Sequence, residues 1–204
     1  MDPDRRRAAA QQPAFDYLFL RGEADAEGVA QGLASAGATI VGRFTPQLGW
    51  ASDEAALLIG WPGGASPAVE QRRAAWAGER LEHHALTPTA RPTHLAPATP
   101  GGIYVHRWFT VLPDAVDEFV ALSVEGWRDF ETRFEASIHG LFLASSQAAG
   151  APAGARNLLL LTRYASHQVW EASRDPTTAA MAAFRRRRAL TLRTWAASTL
   201  LAAG

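Results

Sequence analysis

The feature that most constrains the fold is a series of secondary-structure elements that occurs twice along the chain. Hydrophobic runs, helix caps and turn residues predict the first series before a proline-rich segment and the second series after it. The first comprises a strand at 15–21, a helix at 26–37, strands at 38–44 and 54–61, a helix at 67–81 and a strand near 84–89. The second comprises a strand at 103–112, a helix at 113–134, strands at 138–146 and 157–164, a helical region at 167–192 and a strand at 194–201.

This order is typical of a ferredoxin-like unit, in which two helices cover one face of an antiparallel four-stranded sheet. A single unit leaves the other face of its sheet bare, and two units in one chain can cover these faces against each other. We therefore predict an α+β fold in which two ferredoxin-like units with antiparallel sheets form an intramolecular α+β barrel. The predicted divisions are a disordered N-terminal lead at 1–13, a first unit at 14–90, a linker at 91–102 and a second unit at 103–204.

The composition excludes several classes of partner and site. The formal net charge is zero, so no overall field favours nucleic acid or an anionic membrane surface. There is no cysteine, which removes disulfides, thiolate nucleophiles and iron–sulfur clusters. The N-terminal residues lack the apolar run of a signal peptide, and no stretch approaches the roughly 18 apolar residues of a membrane span. We expect a cytoplasmic protein that binds neither nucleic acid nor a membrane.

The strand that opens the second series carries the main candidates for chemistry. Side chains alternate along a strand, so Tyr104, His106 and Trp108 share one face and Arg107 lies on the other. Which of the two faces lines a cavity stays open. His106 is either a general base, with a reference pKa of about 6.5, or a buried histidine bonded to a backbone carbonyl. His139 faces the same two alternatives.

Arginines provide the second group of candidates. Arg107 and Arg163 lie on strands that are neighbours in a ferredoxin-like sheet, where they could approach one another and bind a carboxylate or stabilise an enolate. The alternative is ion pairing with acidic residues at the barrel rim.

The run from Arg185 to Arg188 covers every azimuth of a helix, so at least one guanidinium must lie against protein. The rest of this run is interpreted as a solvated face paired with acids.

Several positions of the second series form one pattern: Tyr104, Arg107, Thr110, Val111, Pro113, the pair Arg163–Tyr164, and the segments 174–176 and 185–194. This pattern resembles NIPSNAP domains, a branch of the dimeric α/β-barrel superfamily. Val105, Leu160 and Thr162 depart from it, and the first series matches only in its order of elements. The resemblance implies a pocket between sheet and helices or inside the barrel. Relatives in the superfamily include cofactor-independent monooxygenases, polyketide cyclases, lactone isomerases and haem enzymes.

From this resemblance we expect a cofactor-independent oxygenase, cyclase or isomerase that acts through an enolate or phenolate. Its substrate would be an aromatic or polyketide-like intermediate of natural-product biosynthesis. His106 would remove a proton, with His139 as a second candidate, and Arg107 or Arg163 would offset the negative charge. The candidates for contact with the ring are Tyr104, Trp108, Phe142 and Tyr164.

Two other hypotheses remain open. The rival is a non-catalytic barrel that binds a hydrophobic ligand or a protein partner, and haem binding is a third alternative. Internal doubling removes the need for a partner subunit, so both a monomer and a homodimer are compatible with the sequence.

The sequence contains no motif that indicates a metal site or an organic cofactor. His83, His84 and His94 lack the i, i+4 spacing of a helical zinc pair. No P-loop, no dinucleotide-binding glycine motif and no G-x-S-x-G motif occurs in the sequence. We therefore predict no metal site and no cofactor.

Overall fold

Eight strands and five α-helices make up the part of the chain that the computed structural model describes, residues 13–22, 25–76, 81–146 and 151–203. The strands are β1 Ala14–Leu20, β2 Thr39–Leu48, β3 Ala55–Trp61, β4 Leu81–Pro88, β5 Ile103–Val111, β6 Ala136–Ala144, β7 Arg156–Tyr164 and β8 Thr191–Leu201. The helices are α1 Ala26–Ser35, α2 Pro67–Ala75, α3 Val116–Arg133, α4 His167–Ala172 and α5 Ala179–Ala189. Apart from Pro13, the predicted lead at 1–13 lies outside the described residues.

All eight strands pair antiparallel and close into one barrel in the order β1-β3-β2-β8-β5-β7-β6-β4, with β4 returning to β1. The strands of the first series lie in the order β4-β1-β3-β2, and those of the second in the order β6-β7-β5-β8. The two sets meet where β2 pairs with β8 and where β4 pairs with β6. The predicted α+β fold with an intramolecular antiparallel barrel is therefore confirmed. The division into units at 14–90 and 103–204 stays a prediction.

Local sequence signals explain most element boundaries. Ser66 caps α2, its hydroxyl accepting a hydrogen bond from the Val69 amide, and Thr178 caps α5 through the Met181 amide. Gly37 follows α1 with a φ of 89°, a conformation that favours glycine. The helix predicted at 67–81 ends earlier, at Ala75, because Leu81 already belongs to a strand paired with β1. No helix in the described ranges is long and apolar enough to cross a membrane.

Three apolar clusters hold these elements together. One fills the barrel interior, and its largest members include Phe15, Tyr17, Phe44 and Trp108. A second lies between the first-series sheet and helices α1 and α2. The third lies between the second-series sheet and helices α3 to α5. Each large side chain that is fully buried in these clusters contributes about 1.5–3 kcal/mol to folding.

The segment predicted as a linker at 91–102 packs across one end of the barrel. Arg91 forms an ion pair with Glu131 at 2.7 Å, and its guanidinium lies over the Trp127 ring at 5.3 Å. Leu95 and Ala98 join the interior cluster, and the Ala98 amide donates to the backbone of β2. These contacts attach the segment to helix α3 and to strand β2, one element from each series.

Candidate functional site

A cavity of about 400 Å³ lies between the outer face of the second-series sheet and helices α3 to α5. Its volume is in the range of small-molecule sites. Strand alternation turns Val105, Arg107 and Phe109 outward to form its floor. The sheet also contributes Ile138, Leu160, Thr162, Tyr164 and Thr194, and the helices and their connections contribute Trp127, Phe130, Trp170, Ser173, Arg174, Met181, Phe184, Arg185, Arg187 and Arg188.

The close approach of two helices forms the cavity roof. A Cβ atom at Gly126 of α3 would overlap the Phe184 ring of α5, so only glycine permits this contact. The approach brings Phe130 and Phe184 together, with ring centroids 5.9 Å apart. The roof is therefore aromatic, as is suitable for a planar ligand.

Arg187 places a positive charge inside this apolar region. Only 7% of the residue is exposed. Its guanidinium lies over the rings of Phe184, Phe109 and Phe119 at 4.5, 4.9 and 5.2 Å and donates to the Ser123 hydroxyl at 3.1 Å. Burial, together with the nearby charge of Arg107, lowers the pKa of Arg187 to about 9. The side chain therefore lies where its charge is poorly solvated.

Arg107 and Tyr164 lie in the same electrostatic environment. Burial lowers the pKa of Arg107, and the charge of Arg174 lowers it further. Burial raises the pKa of Tyr164, while the positive charges of Arg107, Arg187 and Arg174 oppose that rise. The three guanidinium groups and the phenol influence one another in this way because all four side chains line the same cavity.

The cavity lining carries positive charge and no negative charge among the residues that the structure describes. Five arginines line it, and none of them forms an ion pair with a described Asp or Glu. Arg186, the remaining member of the arginine run, does not line the cavity and pairs with Glu125 at 3.2 Å. The buried indole N–H of Trp127 also lacks a described partner. Chemically, this arrangement can bind an aromatic anion and offers it hydrogen-bond donors.

His106 lies on the opposite face of β5, inside the barrel. It is 0% exposed and does not line the cavity between the sheet and helices α3 to α5. The Thr199 hydroxyl donates to the Tyr104 carbonyl and accepts from His106 Nε2, at 3.2 and 3.0 Å. The neutral ring therefore carries its proton on Nε2, and Nδ1 accepts from the Tyr17 hydroxyl at 3.0 Å. Both nitrogens are bonded to hydroxyl groups within a packed interior.

The burial of His106 predicts a specific sensitivity to acid. Burial lowers its pKa to about 3, below the unfolded value of about 6.5. The folded state therefore binds fewer protons, and stability that is complete above pH 6.5 falls as the pH drops toward 3. Between pH 7 and 4.5 we expect the free energy of unfolding of the wild type to fall by about 2–3 kcal/mol more than that of His106→Gln. Urea unfolding of both proteins at the two pH values measures this difference, and equal losses would contradict it.

The other predicted residues are divided between the barrel interior, the cavity and the barrel end. Tyr104, Trp108 and Phe142 are buried in the interior cluster, whereas Arg107 and Tyr164 line the cavity. Arg163 pairs in register with Tyr104, and its Nε donates to the Gly101 carbonyl at 2.8 Å. His139 lies at a bulge of β6, outside the cavity lining. The structure thus brings together Arg107 and Tyr164 and leaves the two histidines and Arg163 elsewhere.

Sequence reasoning did not single out Arg187 or Trp127. Four consecutive arginines on a helix point in different directions, so at least one guanidinium had to lie against protein. Arg187 is that residue. Nothing in the sequence identified which of the four it would be, because the choice depends on how α5 packs on α3. No three His, Asp or Glu side chains are grouped as metal ligands within the described part of the chain.

No protein-family model and no curated protein sequence matches the chain. Solved structures match it over nearly the full length. An anthrone oxidase-like protein has a TM-score of 0.64 and 17% identity, with 96% of this chain and 93% of that chain covered. A proposed monooxygenase from Fusobacterium nucleatum subsp. nucleatum has a TM-score of 0.53 and 10% identity, with 93% and 92% covered.

The chlorite dismutase of Candidatus Nitrospira defluvii, solved in complex with imidazole, has a TM-score of 0.55 and 8% identity, with 96% and 94% covered. At such identities the likeness is evidence for fold and not for reaction. The NIPSNAP assignment and the tandem origin of the two series stay predictions. The chain therefore shares the closed α+β barrel fold of these solved structures.

Proposed function

We propose that the protein is an oxygenase-type enzyme that binds an aromatic, enolisable compound as its anion in the arginine-lined cavity, without a metal or organic cofactor. The observation that carries this proposal is the pair Arg107 and Arg187, inside an aromatic cavity and without a described carboxylate partner. The reaction class is suggested by the anthrone oxidase-like and monooxygenase structures, whose likeness to this chain extends to the fold alone.

The buried charge of Arg187 has an energetic cost in the ligand-free protein. An unpaired ion in the interior costs several kcal/mol in effective desolvation energy. Cation–π contacts with three rings offset part of that cost for Arg187. An anionic ligand would offset much of the rest. The cavity therefore favours the anion of a bound compound over its neutral form and lowers the pKa of a bound enol or phenol.

Anthrone illustrates the chemistry. Its methylene carbon lies between two aryl rings, and its enol form is an acidic phenol whose oxyanion would bind Arg107 and Arg187. The electron-rich carbon of this anion adds O₂ and a proton to give a hydroperoxide, which loses water to leave a ketone. The balance is R₂CH₂ + O₂ → R₂C=O + H₂O, with O₂ as the oxidant. The described lining contains no His, Asp or Glu, so the enol proton passes to water, and His106 is given no role in this step.

Oxidation of anthrone under air tests the proposal. The wild type should consume O₂ and form anthraquinone faster than the uncatalysed reaction in the same buffer. Arg107→Met should lower kcat/KM about ten- to a hundredfold, because one donor to the oxyanion is lost. Arg186→Met is the matched control, since Arg186 pairs with Glu125 outside the cavity. Equal rates for the wild type and Arg107→Met, or a Soret band in the active preparation, would contradict the proposal.

A second candidate function, binding without catalysis, is favoured by one observation. The described cavity lining has no general base, and both nitrogens of His106 are bonded inside the barrel. If the protein only binds its ligand, anthraquinone should quench the tryptophan fluorescence of the protein, and the protein should not accelerate O₂ consumption by anthrone. The two assays together separate the candidates.

A further inference from the structure

The mouth of the cavity carries three more arginines, separate from Arg107 and Arg187. Arg174, Arg185 and Arg188 are exposed and line the same cavity. Arg185 donates to the Pro176 carbonyl at 2.8 Å and Arg188 to the Thr191 carbonyl at 3.0 Å. The Arg174 guanidinium lies over the Trp170 ring at 4.9 Å. Neutral groups thus position all three side chains, and none of the three forms an ion pair with a described Asp or Glu.

The neighbouring arginine differs from these three. Arg186 lies within the same run, does not line the cavity and has a carboxylate partner in Glu125. The chain as a whole has equal numbers of acidic and basic residues. The cavity lining has five arginines and no described Asp or Glu, so its local charge is positive.

We infer that the ligand carries a second acidic group, a carboxylate on its aromatic body, which Arg174 and Arg188 bind at the cavity mouth. The inference rests on the proposed function for the same cavity and narrows its substrate class to aromatic carboxylic acids. The enol oxygen would face Arg107 and Arg187, the rings would lie against Phe184 and Trp127, and the carboxylate would stay near solvent. A guanidinium positioned by a ring keeps its planar set of N–H donors available, which suits a planar carboxylate.

Two compounds of the same shape provide the test. Anthraquinone-2-carboxylate and its neutral carboxamide differ in charge and do not turn over, and calorimetry gives the Kd of each. In the wild type we expect the acid to bind about five- to tenfold more tightly than the amide, because exposed arginines contribute modestly. The preference should decrease as salt is added. It should fall toward one in the double variant Arg174→Gln, Arg188→Gln and persist in Arg186→Gln.

Each outcome decides the inference. Equal affinity for acid and amide in the wild type overturns it, and so does a preference that the double variant retains. Catalytic turnover of anthrone is measured separately. If anthrone is oxidised and the acid is not preferred, this inference fails and the proposed function stands. If the acid is preferred and anthrone is not oxidised, the carboxylate site stands and the oxygenase proposal fails.

Discussion

Replacing Arg187 by methionine is expected to stabilise the ligand-free protein and to lower anthrone turnover at the same time. Methionine fills the space among Phe109, Phe119 and Phe184 without placing a charge there. Exchange of buried charges for apolar side chains commonly stabilises a protein, and we expect a gain of about 1–3 kcal/mol. For a chain of this length that gain raises Tm by about 2–4 °C per kcal/mol. Turnover should fall about 10²–10³-fold, because the most buried donor to the oxyanion is lost.

The pKa of Arg187 gives the sign of the stability change. The folded value of about 9 lies well below the ordinary value of an arginine. The folded state therefore binds fewer protons than the unfolded state above pH 9, and the contribution of Arg187 to stability rises with pH from there. Below pH 9 both states carry the charge, and the folded state bears the full desolvation cost. The stabilising effect of Arg187→Met is consequently present throughout the neutral range.

Calorimetric scans of the free and anthraquinone-carboxylate-bound proteins measure the stability change, and O₂ consumption with anthrone measures turnover. The ligand should raise the Tm of the wild type more than that of Arg187→Met, because a tighter ligand stabilises the folded state more. Arg186→Met is the control, and loss of its exposed pair with Glu125 should change stability by at most about 1 kcal/mol. If Arg187→Met is destabilised and keeps full turnover, Arg187 is a structural residue and not part of an anion site.

The order of elements was predictable because hydrophobic runs, caps and turns are local signals. The prediction placed every strand of the barrel within a few residues. The barrel itself followed from the bare faces of two sheets, an argument from hydrophobic burial that requires no knowledge of individual contacts. The cavity required knowledge of packing, since it depends on the crossing of α3 and α5 at Gly126.

The face of β5 that carries the site was not predictable, and the reason is physical. Every residue of β5 except Arg107 is buried, because one face packs inside the barrel and the other packs under helices. A strand buried on both faces lacks the alternation of apolar and polar residues that distinguishes a core face from a solvent face. His106 and Arg107 were therefore equally good candidates in the sequence. The structure places only Arg107 in the cavity.

Substituting Asp16 by alanine should destabilise the first-series sheet by about 3–5 kcal/mol. Asp16 lies on β1, is 0% exposed and accepts three hydrogen bonds under helix α2. The donors are Trp61 Nε1 at 2.7 Å, Arg73 Nε at 2.8 Å and His83 Nε2 at 2.8 Å. They come from β3, α2 and β4, so one carboxylate connects three elements to β1. Its removal leaves the Arg73 guanidinium, whose side chain is only 12% exposed, without its buried carboxylate partner.

A second carboxylate on the same arginine provides the matched control. Glu70 pairs with Arg73 at 2.6 Å but is 58% exposed, so Glu70→Ala should cost at most about 1 kcal/mol. Urea midpoints at constant m-value give both losses. If Asp16→Ala costs no more than Glu70→Ala, Asp16 does not hold α2 on the sheet.

Folded Asp16→Ala should still bind anthraquinone-2-carboxylate with the wild-type Kd, because all the residues that line the arginine cavity belong to the second series. A change in that Kd would show that the two halves of the barrel are coupled through the strands that join them.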